Sequence, residues 1–98
     1  MATIIISLVN GTLTLSDNGH TNASKSAVIH WRAGTGVHSV TGVTVKASSP
    51  TTTADFWSEA PAPNGVNFKG KISDTITGEW IYSITTDVGS IDPRIQVN

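Results

Sequence analysis

Apolar and polar residues alternate in short runs along this chain, and turn residues break the runs at regular intervals. The first apolar run covers 4–9. Asn10-Gly11 then tolerates positive φ at both positions, which predicts a hairpin into a second arm over 12–16, where Leu13 and Leu15 alternate with Thr12 and Thr14. Residues 16–25 are polar and rich in turn formers, and predict a loop. Over 26–32, Val28 and His30 share one face of a strand, while Ile29 and Trp31 share the other. A turn at 33–36 leads to an alternating run over 37–47, where Gly42 predicts a bulge or a close backbone approach. Residues 48–54 form a Ser/Thr/Pro loop. Phe56-Trp57 reads as a short edge segment, and Ala60-Pro61-Ala62-Pro63-Asn64-Gly65 as a turn region. Strands follow over 66–72 and over 79–85, the latter with Trp80, Tyr82 and Ile84 on one face. A turn at 87–90 precedes a closing strand over 91–97, in which Pro93 lacks an N–H and belongs at an edge or a strand start.

These elements predict an all-β fold of seven to eight strands, arranged as a two-sheet Greek-key β-sandwich in a single domain over 1–98. Composition points the same way. Val and Ile together number 19 and Thr 14, against 3 Leu. β-Branched side chains are stiff at χ1 and favour pleated strands over helices. Ninety-eight residues suffice for a core without covalent staples. Ile4-Ile5-Ile6 is apolar on both faces, so that strand is either covered on both sides or placed at a subunit contact.

From 29 to 97 the chain resembles the cupredoxin family, the plastocyanin-like sandwiches. Ile29-His30-Trp31 leads into His38-Ser39-Val40-Thr41, and Phe68 precedes Gly78-Glu79-Trp80-Ile81-Tyr82-Ser83-Ile84. The Gly-x-aromatic-x-Tyr strand is also similar to that of immunoglobulin-like domains, so the expected sandwich is cupredoxin-like or immunoglobulin-like. A blue-copper site needs two His and a Cys. At the position where the family places its Cys, this chain has Ile84, and only His38 matches a ligand position. The resemblance therefore implies a cupredoxin-like scaffold without blue-copper activity.

Charge and motifs narrow the function classes. Six Lys+Arg against seven Asp+Glu give a net charge of −1, which argues against a general nucleic-acid binder. Absence of cysteine removes disulfides and thiolate chemistry. No apolar run reaches the roughly 18 residues of a membrane span, and the N-terminal stretch lacks the basic region of a signal peptide; the compartment is left open. Asn10-Gly11-Thr12 and Asn22-Ala23-Ser24 fit the N-glycosylation triplet, which a Ser- and Thr-rich chain also produces by chance. No nucleophile elbow or phosphate-binding glycine pattern occurs, and no pair of carboxylates is singled out by spacing. The expectation is a protein that is not an enzyme and carries no cofactor.

Two sets of side chains could bind something. His30 and His38 flank one turn, on strands that could pair, and imidazoles are the commonest metal ligands. Trp57 lies beside Phe56, with Asp55, Glu59 and Asn64 nearby. Such a tryptophan either caps the open end of the sandwich or offers an apolar stacking face with polar neighbours. The leading expectation is a non-enzymatic binding or structural module, with a carbohydrate or protein ligand held through Phe56, Trp57 and Asn64. The alternative is a metal-binding protein using His30 and His38. With few charges to oppose edge pairing, homo-oligomerisation through an edge strand is a further expectation.

Overall fold

Asn10 and Gly11 take φ values of 51° and 77°, the left-handed pair that a two-residue hairpin turn demands. They fold β1 (Ala2–Val9) straight back on β2 (Thr12–Leu15), with Ile6 opposite Leu15 and Val9 opposite Thr12. The computed structural model describes residues 2–49 and 55–98. Most of the loop expected over 48–54 lies outside these residues, as does Met1.

Eight further strands follow: β3 (His20–Ala23), β4 (Val28–Ala33), β5 (Val40–Ser49), β6 (Trp57–Asn64), β7 (Asn67–Ile72), β8 (Gly78–Thr86), β9 (Gly89–Ile91) and β10 (Arg94–Val97). There is no helix among the described residues. Sheet I has the order β2-β1-β4-β7-β6, and sheet II the order β3-β10-β8-β5, with β9 also paired to β8. The two sheets pack face to face as a β-sandwich. Each contains one parallel pair, β1 with β4 and β3 with β10, among antiparallel neighbours.

Among the described residues the strand count is ten rather than seven to eight, and three segments account for the difference. β3 falls in the stretch read as a polar loop. Its sequence, His-Thr-Asn-Ala, carries no apolar alternation, and Thr21 and Ala23 alone face inward. β6 occupies the supposed turn region. Its prolines are tolerated because it is an edge strand with two register shifts, between Trp57 and Glu59 and between Glu59 and Ala62. The closing strand is broken by Asp92-Pro93 into β9 and β10. Gly42 marks a register shift in β5, as its place in an apolar strand suggests. That shift brings Val40 and Val43 to the core, where unbroken alternation from Val37 would have turned Val40 outward.

β1 is an interior strand, covered on both edges by β2 and β4. Ile4 and Ile6 are sealed in the core, while Ile5 turns to the outer face and keeps 40% of its surface exposed. The turn after β4 packs tightly on this strand. Gly34 N–H donates to the Ile6 carbonyl across 2.7 Å, and a Cβ at Gly34 would stand 2.5 Å from Ser7 Oγ and 2.9 Å from that carbonyl oxygen.

Between the sheets lie Ile4, Ile6, Ile29, Trp31, Ile72, Tyr82, Ile84, Ile95 and Val97, all almost completely buried. Trp31 and Trp80 are core residues, as their mid-strand positions imply. The Tyr82 hydroxyl accepts a hydrogen bond from Trp31 Nε1 at 3.3 Å. Every buried side-chain polar atom among the described residues has a partner.

Candidate functional site

Five of the six aromatic rings form one continuous edge-to-face chain. Tyr82 meets Trp31 (centroids 6.0 Å apart), Trp31 meets Trp57 (5.6 Å), Trp57 meets Phe56 (4.5 Å) and Phe56 meets Trp80 (4.8 Å). Interplanar angles of 61–81° set ring edges against ring faces, the arrangement the aromatic quadrupole favours. Trp31, Phe56, Trp80 and Tyr82 are buried. Trp57 is the partly exposed member, packed against the core from outside.

Trp57 opens β6, the edge strand of sheet I, and β5 is the edge strand of sheet II on the same side. Between them runs an open groove of about 630 Å³. Its apolar lining comes from Val43, Val45 and Ala47 of β5, from Phe56, Trp57, Ala60 and Pro61 of the β6 segment, and from Trp80. Thr44, Lys46, Ser48 and Asp55 supply its polar groups. Local hydrogen bonds fix the Trp57 end. Asp55 Oδ1 accepts from Trp57 N–H at 3.0 Å, and the Phe56 carbonyl accepts from Ser73 N–H at 2.8 Å.

The lysine at the groove is charge-paired, while Asp55 contributes a carboxylate. Lys46 Nζ lies 3.0 Å from Asp92 Oδ2, and the second Asp92 oxygen accepts from the Ser83 hydroxyl. The Ser83 hydrogen bond, followed by Lys46, holds the Asp92 carboxyl below its ordinary range. Lys46 thus meets the groove as half of an ion pair rather than as a free cation.

The residues singled out in the sequence do not all converge. Phe56 is 2% exposed and supports Trp57 from behind instead of facing solvent. Asn64 ends the strand that Trp57 begins, roughly 20 Å away at about 3.3 Å per residue, and is not part of the groove lining. The β5 contribution could not be found by sequence reasoning, because it depends on which strands become edges.

His30 and His38 face different surroundings. β4 and β5 belong to different sheets, so the pairing imagined for the strands flanking that turn does not form. His30 lies on the outer face of sheet I, in register with Thr3 and Lys69. His38 lies beyond β4 and reaches the β8–β9 turn of sheet II, where its Nδ1 is 3.0 Å from Asp87 Oδ2. Asp87 Oδ1 accepts from the backbone N–H groups of His38 and Ser39. Burial is the largest single influence on the Asp87 carboxyl and opposes its ionisation. The Ser39 N–H and the contacts of His38 together outweigh it and hold the group below its ordinary range. Among the described residues no group of three or more His, Asp and Glu side chains is placed to share a metal ion, and no side chain hydrogen-bonds the outward nitrogen of His38.

No protein-family model matches this chain, and no curated protein matches it in sequence.

Proposed function

We propose that this chain is a non-enzymatic binding module that holds a short, neutral oligosaccharide in the groove between β5 and β6, with Trp57 as the stacking platform. The observation that carries this reading is the position of Trp57. Four of the five rings in the aromatic chain are buried, while the fifth is held in a fixed orientation at the wall of an open groove. A rigid aromatic face loses little conformational freedom when a ligand binds. A mostly apolar lining with a few polar groups suits an amphipathic sugar ring, and the paired state of Lys46 suits an uncharged one.

The finer fold reading belongs here as well. A cupredoxin-like sandwich is favoured over an immunoglobulin-like one by the two parallel pairs, since the immunoglobulin architecture is built from antiparallel sheets. Ligand binding also ranks ahead of homo-association through an edge strand. β2 and β3 are only four residues long, β5 is bulged, and β6 carries Pro61, Pro63 and two register shifts. Such features blunt edge pairing.

A neutral glycan array, followed by calorimetry on the best ligand, tests the reading. The expected result is saturable binding that quenches or shifts tryptophan emission and is lost in Trp57→Ala, with the far-UV spectrum unchanged. Binding to no neutral glycan, or binding that survives the substitution, rejects it.

A further inference from the structure

We infer that the outer face of sheet I is a second binding surface, separate from the groove, which takes an anionic polysaccharide through Arg32, Lys69 and Lys71. Of the six cations of this chain, Lys25 lies in the β3–β4 connection and the other five are distributed unevenly between the sheets. Lys46 and Arg94, on the outer face of sheet II, are each paired with a carboxylate, Asp92 and Glu79 respectively. Arg32, Lys69 and Lys71 all project from the outer face of sheet I and have no carboxylate partner among the described residues. Only Glu59 opposes them, in register with Lys71. Three positive charges and one negative leave +2 on this face. Since the whole chain carries −1, the remainder carries −3.

The strand register arranges these cations in a line. Lys69 and Lys71 are alternate residues of β7, roughly 7 Å apart along the strand. His30 lies beside Lys69 on β4, and Arg32 follows two residues further. Beside the lysines the face is indented. Three steps along β6, from Glu59 to Ala62, span only two along β7, from Lys71 to Lys69. This bulge leaves a depression of about 210 Å³ with Lys69, Lys71, Val28 and the carboxylate-bearing Glu59 on its walls and Gly70 between the lysines, so that its own charged lining is net +1. Its volume is that of roughly seven waters, room for one substituted sugar ring and its anionic group rather than a folded segment.

Charge complementarity requires an anion, and other features of the face select which kind. Among the described residues it has no Trp, Tyr or Phe ring on which successive bases could stack, as single-stranded nucleic acid binding uses, and offers only the single imidazole of His30. Three cations at about 1 kcal/mol each, with Ile5 as the exposed aliphatic side chain among them, fall short of the two strong signals that stable membrane attachment needs. A flexible chain of anionic sugars, with charges repeating along its length, matches a flat line of cations that ends in a ring-sized dent.

Fluorescein-labelled heparin is the probe, titrated by anisotropy at about 0.05 M salt. Saturable binding is expected, and it is lost on raising the salt to about 0.5 M because exposed charges are then screened. Lys69→Gln and Lys71→Gln should each weaken binding by up to about fivefold, and the double variant by about tenfold or more. Arg94→Gln changes net charge as much as either single variant and should alter binding less than twofold. Absence of heparin binding overturns the inference, as does equal weakening by Arg94→Gln and Lys69→Gln. Tighter binding to an oligo(dT) 20-mer, or to vesicles of phosphatidylcholine and phosphatidylserine, overturns it too and assigns the face to that ligand.

Discussion

The indole Nε1 of Trp31, on sheet I, donates to the phenolic oxygen of Tyr82, on sheet II, across 3.3 Å. A polar contact thus crosses the middle of the sandwich, and each group is the other's means of being buried. Tyr82→Phe would keep the ring and leave the indole N–H without a partner. An unsatisfied buried donor costs about 1–3 kcal/mol, which corresponds to a fall in Tm of roughly 5–20 °C for a domain of this size. Differential scanning calorimetry of Tyr82→Phe, Trp31→Phe and the double variant should show the double losing less than the sum of the singles.

The same phenol sets the alkaline limit of the fold. Burial raises the Tyr82 pKa above its ordinary value of about 10, against the Trp31 hydrogen bond that favours the phenolate, and the charge of Asp17 adds to the rise. The folded state therefore holds this proton at pH values where the unfolded chain has released it. The contribution of Tyr82 to stability is fully present below about pH 10 and is lost as pH rises above it. Ionisation of Tyr82, read as the growth of absorbance at 295 nm, should coincide with loss of the near-UV circular dichroism signal. A reversible phenolate signal in a protein that stays folded would contradict this.

On the acid side, the clamp formed by Asp87 has the opposite sign. Its folded-state pKa is depressed by the Ser39 and His38 contacts that outweigh burial. Its stabilising contribution is present above the unfolded value of about 4 and is lost as pH falls through the folded one. Asp87→Asn should move the acid unfolding midpoint to higher pH. It should also speed amide exchange at His38 and Ser39, whose N–H groups the carboxylate holds.

Two glycines separate close approach from mere flexibility. Gly34→Ala places a methyl group against Ser7, Ile5 and the Ile6 carbonyl, all within 3 Å, and should cost about 1–3 kcal/mol by overpacking. At Gly42 the nearest atom to an added Cβ, in Thr85, is 3.9 Å away. Gly42→Ala should therefore change stability by no more than about 0.5 kcal/mol. Urea unfolding of both variants checks the contrast.

The strands that could be read from sequence are those whose inward residues are strongly apolar, such as β8 with Trp80, Tyr82 and Ile84, or those joined by a diagnostic turn, such as β1 and β2 at Asn10-Gly11. β3 escaped because a parallel edge partner needs backbone groups from its neighbour more than apolar side chains. β6 escaped because proline argues against a strand until its place at an edge is known. The candidate binding residues divided along the same line. Trp57 stands out as an aromatic between polar runs, whereas Phe56, read from its adjacency as part of the ligand-holding face, is instead buried behind it. The opposing wall from β5, and the gathering of Arg32, Lys69 and Lys71 on one face, arise from sheet order. Sheet order depends on pairings between distant segments, which no local pattern encodes.

Those distant pairings also govern how the molecule comes into being. β3 pairs only with β10 within its sheet, and Thr21 sits opposite Ile95, a separation of 95 − 21 = 74 residues. A segment made early must therefore wait, unpaired, until nearly all of the described chain has been synthesised. Contacts this remote slow folding toward the millisecond-to-second range. During translation β3 has no sheet partner among the described residues until residues 94–97 arrive.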